Sequence, residues 1–114
     1  MKTHLIKLED LLQPIRAQLL TDPAPIEIGG CYISDLLSDV LAHAQPGALW
    51  VTVQTHHNVI SVATTKDIAA VLFTCDRKPD SSIVAEAGEG GIALLSTSLT
   101  TFEAAGKLWE VGLR

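Results

Sequence analysis

Apolar positions along this chain switch repeatedly between two spacings. Short continuous or alternating runs, the mark of strands, fall at Ile26–Ile28, Cys31–Ile33, Leu49–Thr55, Ala70–Thr74 and Ile92–Leu95. Between them, apolar residues recur three and four apart, as on one face of a helix. Leu5, Leu8, Leu11 and Leu12 begin the chain in this way, and Pro14 limits that helix because the residue before proline avoids the α region. Ile15–Leu20 suits a short edge strand. Asp22-Pro23-Ala24-Pro25 is a loop, since two prolines remove two backbone donors. The strand at Ile26 runs into Gly29-Gly30 and should bend there. Ser34 is placed to cap the next helix, with Asp35 at its positive start and Leu36, Leu37, Val40, Leu41 and Ala44 as its stripe. Pro46-Gly47 ends it.

The stretch Leu49–Asn58 stands out. Its first half alternates as a strand does, and its second half, Thr55-His56-His57-Asn58, is a polar cluster that no core requires. The residues after it allow two readings. Val59–Val62 has strand propensity and would form a hairpin around His57-Asn58; the same residues also fit a helical face. A helix from Asn58 to about Thr65 is preferred, because a parallel crossover needs one. Ala70–Thr74 is apolar throughout, as in the middle of a parallel sheet. Asp80 or Ser81 can cap a helix through Ile83, Val84 and Ala87, which Gly88, Gly90 and Gly91 bring to a left-handed stop. Thr100-Thr101-Phe102-Glu103 has capping-box spacing and opens a last helix burying Phe102, Ala105, Leu108 or Trp109, up to Gly112. Strands alternating with helices predict an α/β fold with a mainly parallel sheet covered on both faces.

Composition narrows the partners. At 114 residues there is room for one domain and one core. The chain is 47% hydrophobic but only 4% aromatic, so that core is aliphatic. Thirteen acids against eight bases give a net charge of −5 with the bases scattered, which argues against nucleic acid and against an anionic membrane surface. No apolar run reaches the length of a membrane span and Met1-Lys2-Thr3-His4 opens no signal-peptide core, so a cytoplasmic location is expected. In that compartment Cys31 and Cys75 read as buried thiols and not as a disulfide.

Gly29-Gly30-Cys31-Tyr32-Ile33-Ser34-Asp35-Leu36-Leu37-Ser38-Asp39-Val40 resembles the Gly-Gly-Tyr-Val-Ser-Asp-Leu-Leu-Ser-Asp run of small DRTGG-domain proteins. Trp50-Val51-Thr52-Val53-Gln54-Thr55-His56-His57-Asn58-Val59-Ile60 is similar to that family's Trp-Ile-Thr-Ile-Gln-Thr-His-x-Asn-Ile, and Leu94-Leu95-Ser96-Thr97 with Thr100-Thr101-Phe102-Glu103 extends the match. The resemblance implies a three-layer α/β/α domain like the amino-terminal domain of HPr kinase, spanning 1–114. Related domains lie within phosphotransacetylases and between the CBS domains of regulated pyrophosphatases, where the resemblance implies a regulatory or dimerising role. Stand-alone forms accompany iron-only hydrogenase gene sets, which implies a hydrogenase-related partner. The name-giving Asp-Arg-Thr-Gly-Gly string is absent, with Gly29-Gly30 the surviving pair, and so is the catalytic domain of HPr kinase.

Gly88-Glu89-Gly90-Gly91 lacks the Lys-Ser/Thr of a phosphate loop and precedes a strand, so it reads as a helix stop. His56 and His57 are adjacent and on a strand would point to opposite faces; with His4, His43, Cys31 and Cys75 they show no ligand spacing, so no metal is expected, nor any cofactor. Cys75 or Ser96 as nucleophile would need a base such as His56 or His57. A binding crevice fits better. Thr55, His56, His57 and Asn58, then Asp76 and Arg77, then Ser96 and Thr97, all follow strands, and in a parallel sheet those ends share one edge. Such groups suit a small anionic or nucleotide-like ligand; the plainer alternative is that they cap helices and turns. The chain is therefore expected to be a non-catalytic regulatory or ligand-sensing domain. The competing expectation is a small enzyme or redox-active accessory protein using Cys75 and His56. A homodimer is expected, with Trp50, Trp109 and Tyr32 as aromatic interface candidates and core packing as the alternative for Trp50.

Overall fold

The computed structural model describes residues 5–114; His4 and the residues before it lie outside that span. In chain order the elements are β1 (Ile6–Lys7), α1 (Leu8–Leu12), β2 (Ala17–Leu19), β3 (Glu27–Ile28), β4 (Gly30–Ile33) and α2 (Leu37–His43). They continue with β5 (Ala48–Thr52), α3 (Asn58–Thr65), β6 (Ala70–Phe73), α4 (Ser81–Glu89), β7 (Ala93–Thr97) and α5 (Thr101–Glu110). Five strands form one sheet in the order β2-β7-β6-β5-β4; the last four are parallel, and β2 runs antiparallel along the β7 edge. The strand interrupted at Gly29 serves two sheets, because β3 pairs with β1 in a separate antiparallel ribbon while β4 enters the main sheet.

The sheet separates two aliphatic cores, in a three-layer α/β/α arrangement. On one face Trp50, Val71, Phe73 and Leu94 pack against α2, α3 and α4 through Val40, Val59, Ala63, Ile83 and Ala87. On the other, Leu49, Val51, Leu72 and Leu95 pack against α1 and α5 through Leu8, Leu11, Ala104 and Leu108. Every residue of β5, β6 and β7 is buried, which is why these runs show little alternation.

The choice between hairpin and helix after His57 is decided by the sheet. β5 is hydrogen-bonded on both sides, to β4 and β6, so no edge is free for Val59–Val62 to pair with. The segment coils instead, burying Val59, Ile60, Val62 and Ala63.

Three stripes differ from expectation: the first helix starts only at Leu8, because Ile6 and Lys7 pair with β3 and leave Leu5 exposed. Helix α2 starts two residues late, with Leu36 and not Ser34 at the N-cap: Ser34 Oγ accepts the Leu36 amide (3.2 Å), and Asp35 is drawn to β5, so Leu36 and Leu41 stay exposed. On α5 the buried side belongs to Ala104 and Leu108, which leaves Phe102 87% and Trp109 60% exposed. A ten-residue helix with only two core positions buries a narrow stripe, and sequence spacing alone could not choose which one.

Candidate functional site

The carboxyl end of β5 is shaped by Asp35. Its Oδ1 accepts from Thr52 Oγ1 and from the Val53 amide, both at 2.8 Å, and Thr52 Oγ1 in turn accepts the Gln54 amide (3.1 Å). These bonds stop the strand and lift residues 53–57 off the sheet edge. His56 then closes the start of α3, its Nδ1 accepting the Asn58 amide (3.1 Å) while backbone carbonyls of His56 and His57 take the amides of Val59 and Ile60.

At the end of β6 the chain makes a tight reverse turn in which Cys75 (φ +58°) and Asp76 (φ +60°) both adopt the left-handed conformation. The Arg77 amide closes it onto the Thr74 carbonyl (3.1 Å). The turn is also pinned from outside: Cys75 donates its amide to the Leu99 carbonyl (2.8 Å) and Asp76 to that of Thr97 (2.9 Å). Thr74 and Thr101 share a hydroxyl bond of 2.7 Å.

Between these two loops and the first turns of α4 lies a cleft of about 840 Å³. Val53, Gln54, Thr55, His56 and His57 form one wall; Arg77, Lys78, Asp80, Ser82, Ile83 and Glu86 form the other. His57 Nδ1 reaches across to Glu86 Oε1 at 3.4 Å, and the His56 and His57 rings meet edge-on with centroids 5.8 Å apart. Arg77 takes part in no ion pair among the described residues, and Lys78 Nζ has only a long bond of 3.5 Å to Gln18 Oε1. The start of α4 also faces this cleft: Asp80 occupies the N-cap without a side-chain cap bond, so the amides of Ser81 and Ser82 have no capping side chain.

Of the residues singled out in the sequence, Thr55, His56, His57 and Arg77 border the cleft, whereas Asn58, Asp76, Ser96 and Thr97 do not. Ser96 and Thr97 are buried, and Thr97 Oγ1 donates to the Ile15 carbonyl (2.7 Å) and accepts the Leu99 amide (3.2 Å). The crevice expected between the ends of β6 and β7 is stitched shut by the bonds from Cys75 and Asp76. Five polar lining residues were missed: Gln54, Lys78, Asp80, Ser82 and Glu86. The Arg77-Lys78 pair just ahead of a helix cap was the signal that could have found them.

The cysteines part company. Cys31, half-buried in β4, has its thiol raised by burial from an ordinary 9.0 to about 11. Cys75 is exposed, against the expectation of a buried thiol, and it does not border the cleft. Both are free. Among the described residues no three His, Cys, Asp or Glu side chains converge as a metal site would need, and no helix is long and apolar enough to cross a membrane.

Fold and site together define an α/β domain with a polar cleft, carrying the cations Arg77 and Lys78 and the carboxylates Asp80 and Glu86, at the carboxyl edge of its parallel strands. The model of the DRTGG domain family matches residues 12–111, and the chain belongs to that family. Among solved structures it is similar to the CBS and DRTGG domains of the regulatory region of Clostridium perfringens pyrophosphatase, solved with the activator diadenosine tetraphosphate. The TM-score is 0.76 at 12% identity, over 89% of this chain and 45% of that one. The chain thus spans under half the length of that structure, and the likeness is one of fold. A comparison with curated protein sequences finds no match.

Proposed function

We propose that this DRTGG domain is a cytoplasmic, non-catalytic regulatory module that senses a small anionic, nucleotide-like ligand in the cleft between α3 and α4. The observation that carries the reading is the pairing of two cations, Arg77 and Lys78, with the uncapped start of α4 in one concavity. Helix amides and a guanidinium both favour a phosphate, and the volume lies within the range of small-molecule sites. His56, His57 and Thr55 supply flat and hydroxyl surfaces for the rest of such a ligand. The solved relative's complex with diadenosine tetraphosphate is in keeping with nucleotide sensing in a regulatory region that contains this domain type. The module works as a homodimer, and the family resemblance adds a protein partner from hydrogenase or energy metabolism. Catalysis by Cys75 with His56 has less support, because Cys75 does not border the cleft that His56 borders.

Thermal shift against a panel of adenine nucleotides and phosphorylated metabolites tests this. A ligand at a hundred times its dissociation constant adds about 2.7 kcal/mol, and Arg77→Ala or Lys78→Ala should cut that gain sharply while leaving the ligand-free melting point near wild type. The reading fails if no member stabilises the protein, or if both variants respond as wild type does.

A further inference from the structure

Helix α5 turns its two largest side chains to solvent. Phe102 is 87% and Trp109 60% exposed, the Trp109 ring carrying the Arg114 guanidinium 4.4 Å from its centroid, and they lie seven residues apart, on one face, with Ala105 and Gly106 between them. Exposed aromatics at such a spacing around a small-residue centre are the pattern of a helix that packs on another helix. Gly106 makes the point independently. Glycine in mid-helix weakens the helix relative to alanine, yet a Cβ at 106 would meet nothing within 4 Å and its φ is not positive. Nothing inside this chain calls for glycine there, whereas close approach of a second backbone does.

We infer that α5 is the homodimer interface, packing antiparallel on α5 of a second copy with the crossing at Ala105–Gly106. The inference rests on the homodimer part of the function proposed above and is independent of its ligand. A twofold axis through that crossing sets Phe102 of each copy against Trp109 of the other. It also brings Lys107 of each copy, which lies 3.8 Å from Glu110 of its own chain, beside Glu103 of the other, whose Oε1 accepts the Thr100 amide, because both residues lie on one flank at either side of the crossing and a twofold keeps that flank together. The surface is thus complementary to itself in shape and in charge, as an isologous contact requires. Four aromatic rings bring several hundred Å² together. That lies toward the low end for specific interfaces, so the association is reversible and concentration-dependent. The face is on the opposite side of the sheet from the cleft, since α5 packs on the layer of α1 and the cleft is walled by α4.

Sedimentation velocity of the full chain, from a few to a few hundred micromolar, reads the association directly. Wild type should shift from monomer to dimer over this range. Phe102→Glu and Gly106→Gln should each weaken dimerisation about tenfold or more, with circular dichroism unchanged since neither site packs inside the chain. Leu36→Glu, which alters the exposed apolar residue that precedes α2, should dimerise as wild type does. A wild type that stays monomeric throughout overturns the homodimer and this face together. A dimer that survives both α5 substitutions, or that only Leu36→Glu dissolves, overturns the α5 face and leaves the homodimer standing.

Discussion

Cys75 and Asp76 hold positive φ without being glycine, a conformation that costs of order 1 kcal/mol or more per residue and persists only where the surroundings impose it. Here the imposing groups are the Thr97 and Leu99 carbonyls, which capture both amides, and the outcome is that Arg77 leaves the turn at the cleft wall. Cys75→Gly removes part of that strain and is expected to stabilise the fold by up to about 1 kcal/mol in chemical denaturation, net of glycine's entropy. The two thiols should separate in alkylation. With its pKa near 11, Cys31 carries roughly a hundredth of the thiolate of an ordinary cysteine at mildly alkaline pH, so mass spectrometry should find Cys75 labelled first and Cys31 only slowly. Equal labelling would contradict the burial assigned to Cys31. The sequence pointed only partly to this: Cys75 follows an apolar strand and neighbours Asp76-Arg77, which allows a place at a strand mouth, but both cysteines sit in strand-like runs, and it is the bonds that end β6 at Phe73 that put Cys75 outside the sheet.

At the scale of elements, the capping box of α5 was legible because it is local. Thr100 Oγ1 accepts the Glu103 amide (3.1 Å) and Glu103 Oε1 accepts the Thr100 amide (2.9 Å). Thr100→Ala should cost about 0.5–2 kcal/mol. The bond from the Thr100 backbone amide holds the Glu103 carboxyl below its ordinary range, with the Thr100 side chain adding to it. A carboxyl depressed by folding contributes stability above its unfolded pKa, and that contribution is lost as pH falls through the lower folded value. The melting-point advantage of wild type over Glu103→Gln should therefore be full at neutral pH and shrink on acidification below the ordinary glutamate range; an advantage independent of pH would count against the assignment. Asp35 shows the opposite case. It sits where a helix start invites an acid, but its partners, Thr52 and Val53, are 17 and 18 residues away. No local pattern announces such a pairing. Asp35→Ala leaves the Thr52 hydroxyl and Val53 amide without their acceptor, an expected loss of about 1–3 kcal/mol, measurable by urea unfolding.

For the whole molecule, the alternation of strand-like and helical spacing was enough to give the α/β class and a mainly parallel sheet, whereas after His57 spacing fitted strand and helix alike, and only the need for a parallel crossover favoured the helix of Asn58–Thr65. The position of the cleft needed knowledge of which face each helix covers. The helices after β4, β5 and β6 lie on one side and the helix after β7 on the other, so the strand ends where the winding reverses are those of β6 and β7, the usual place for a crevice. In this chain the Cys75 and Asp76 amides close that place, and the open concavity moves one strand over, between the loops after β5 and β6. A second, more apolar groove of about 570 Å³ lies between α1 and the loop at Pro23–Ile26, and the two make different predictions for where a ligand goes. A ¹⁵N–¹H titration of the protein with the nucleotide that stabilises it most decides between them. Binding in the proposed cleft shifts the amides of residues 53–57 and 77–86, with Ser81 and Ser82 moving most, and Arg77→Ala abolishes the shifts. Shifts confined to Leu8–Leu12 and Pro23–Glu27, or unchanged by Arg77→Ala, would contradict the account.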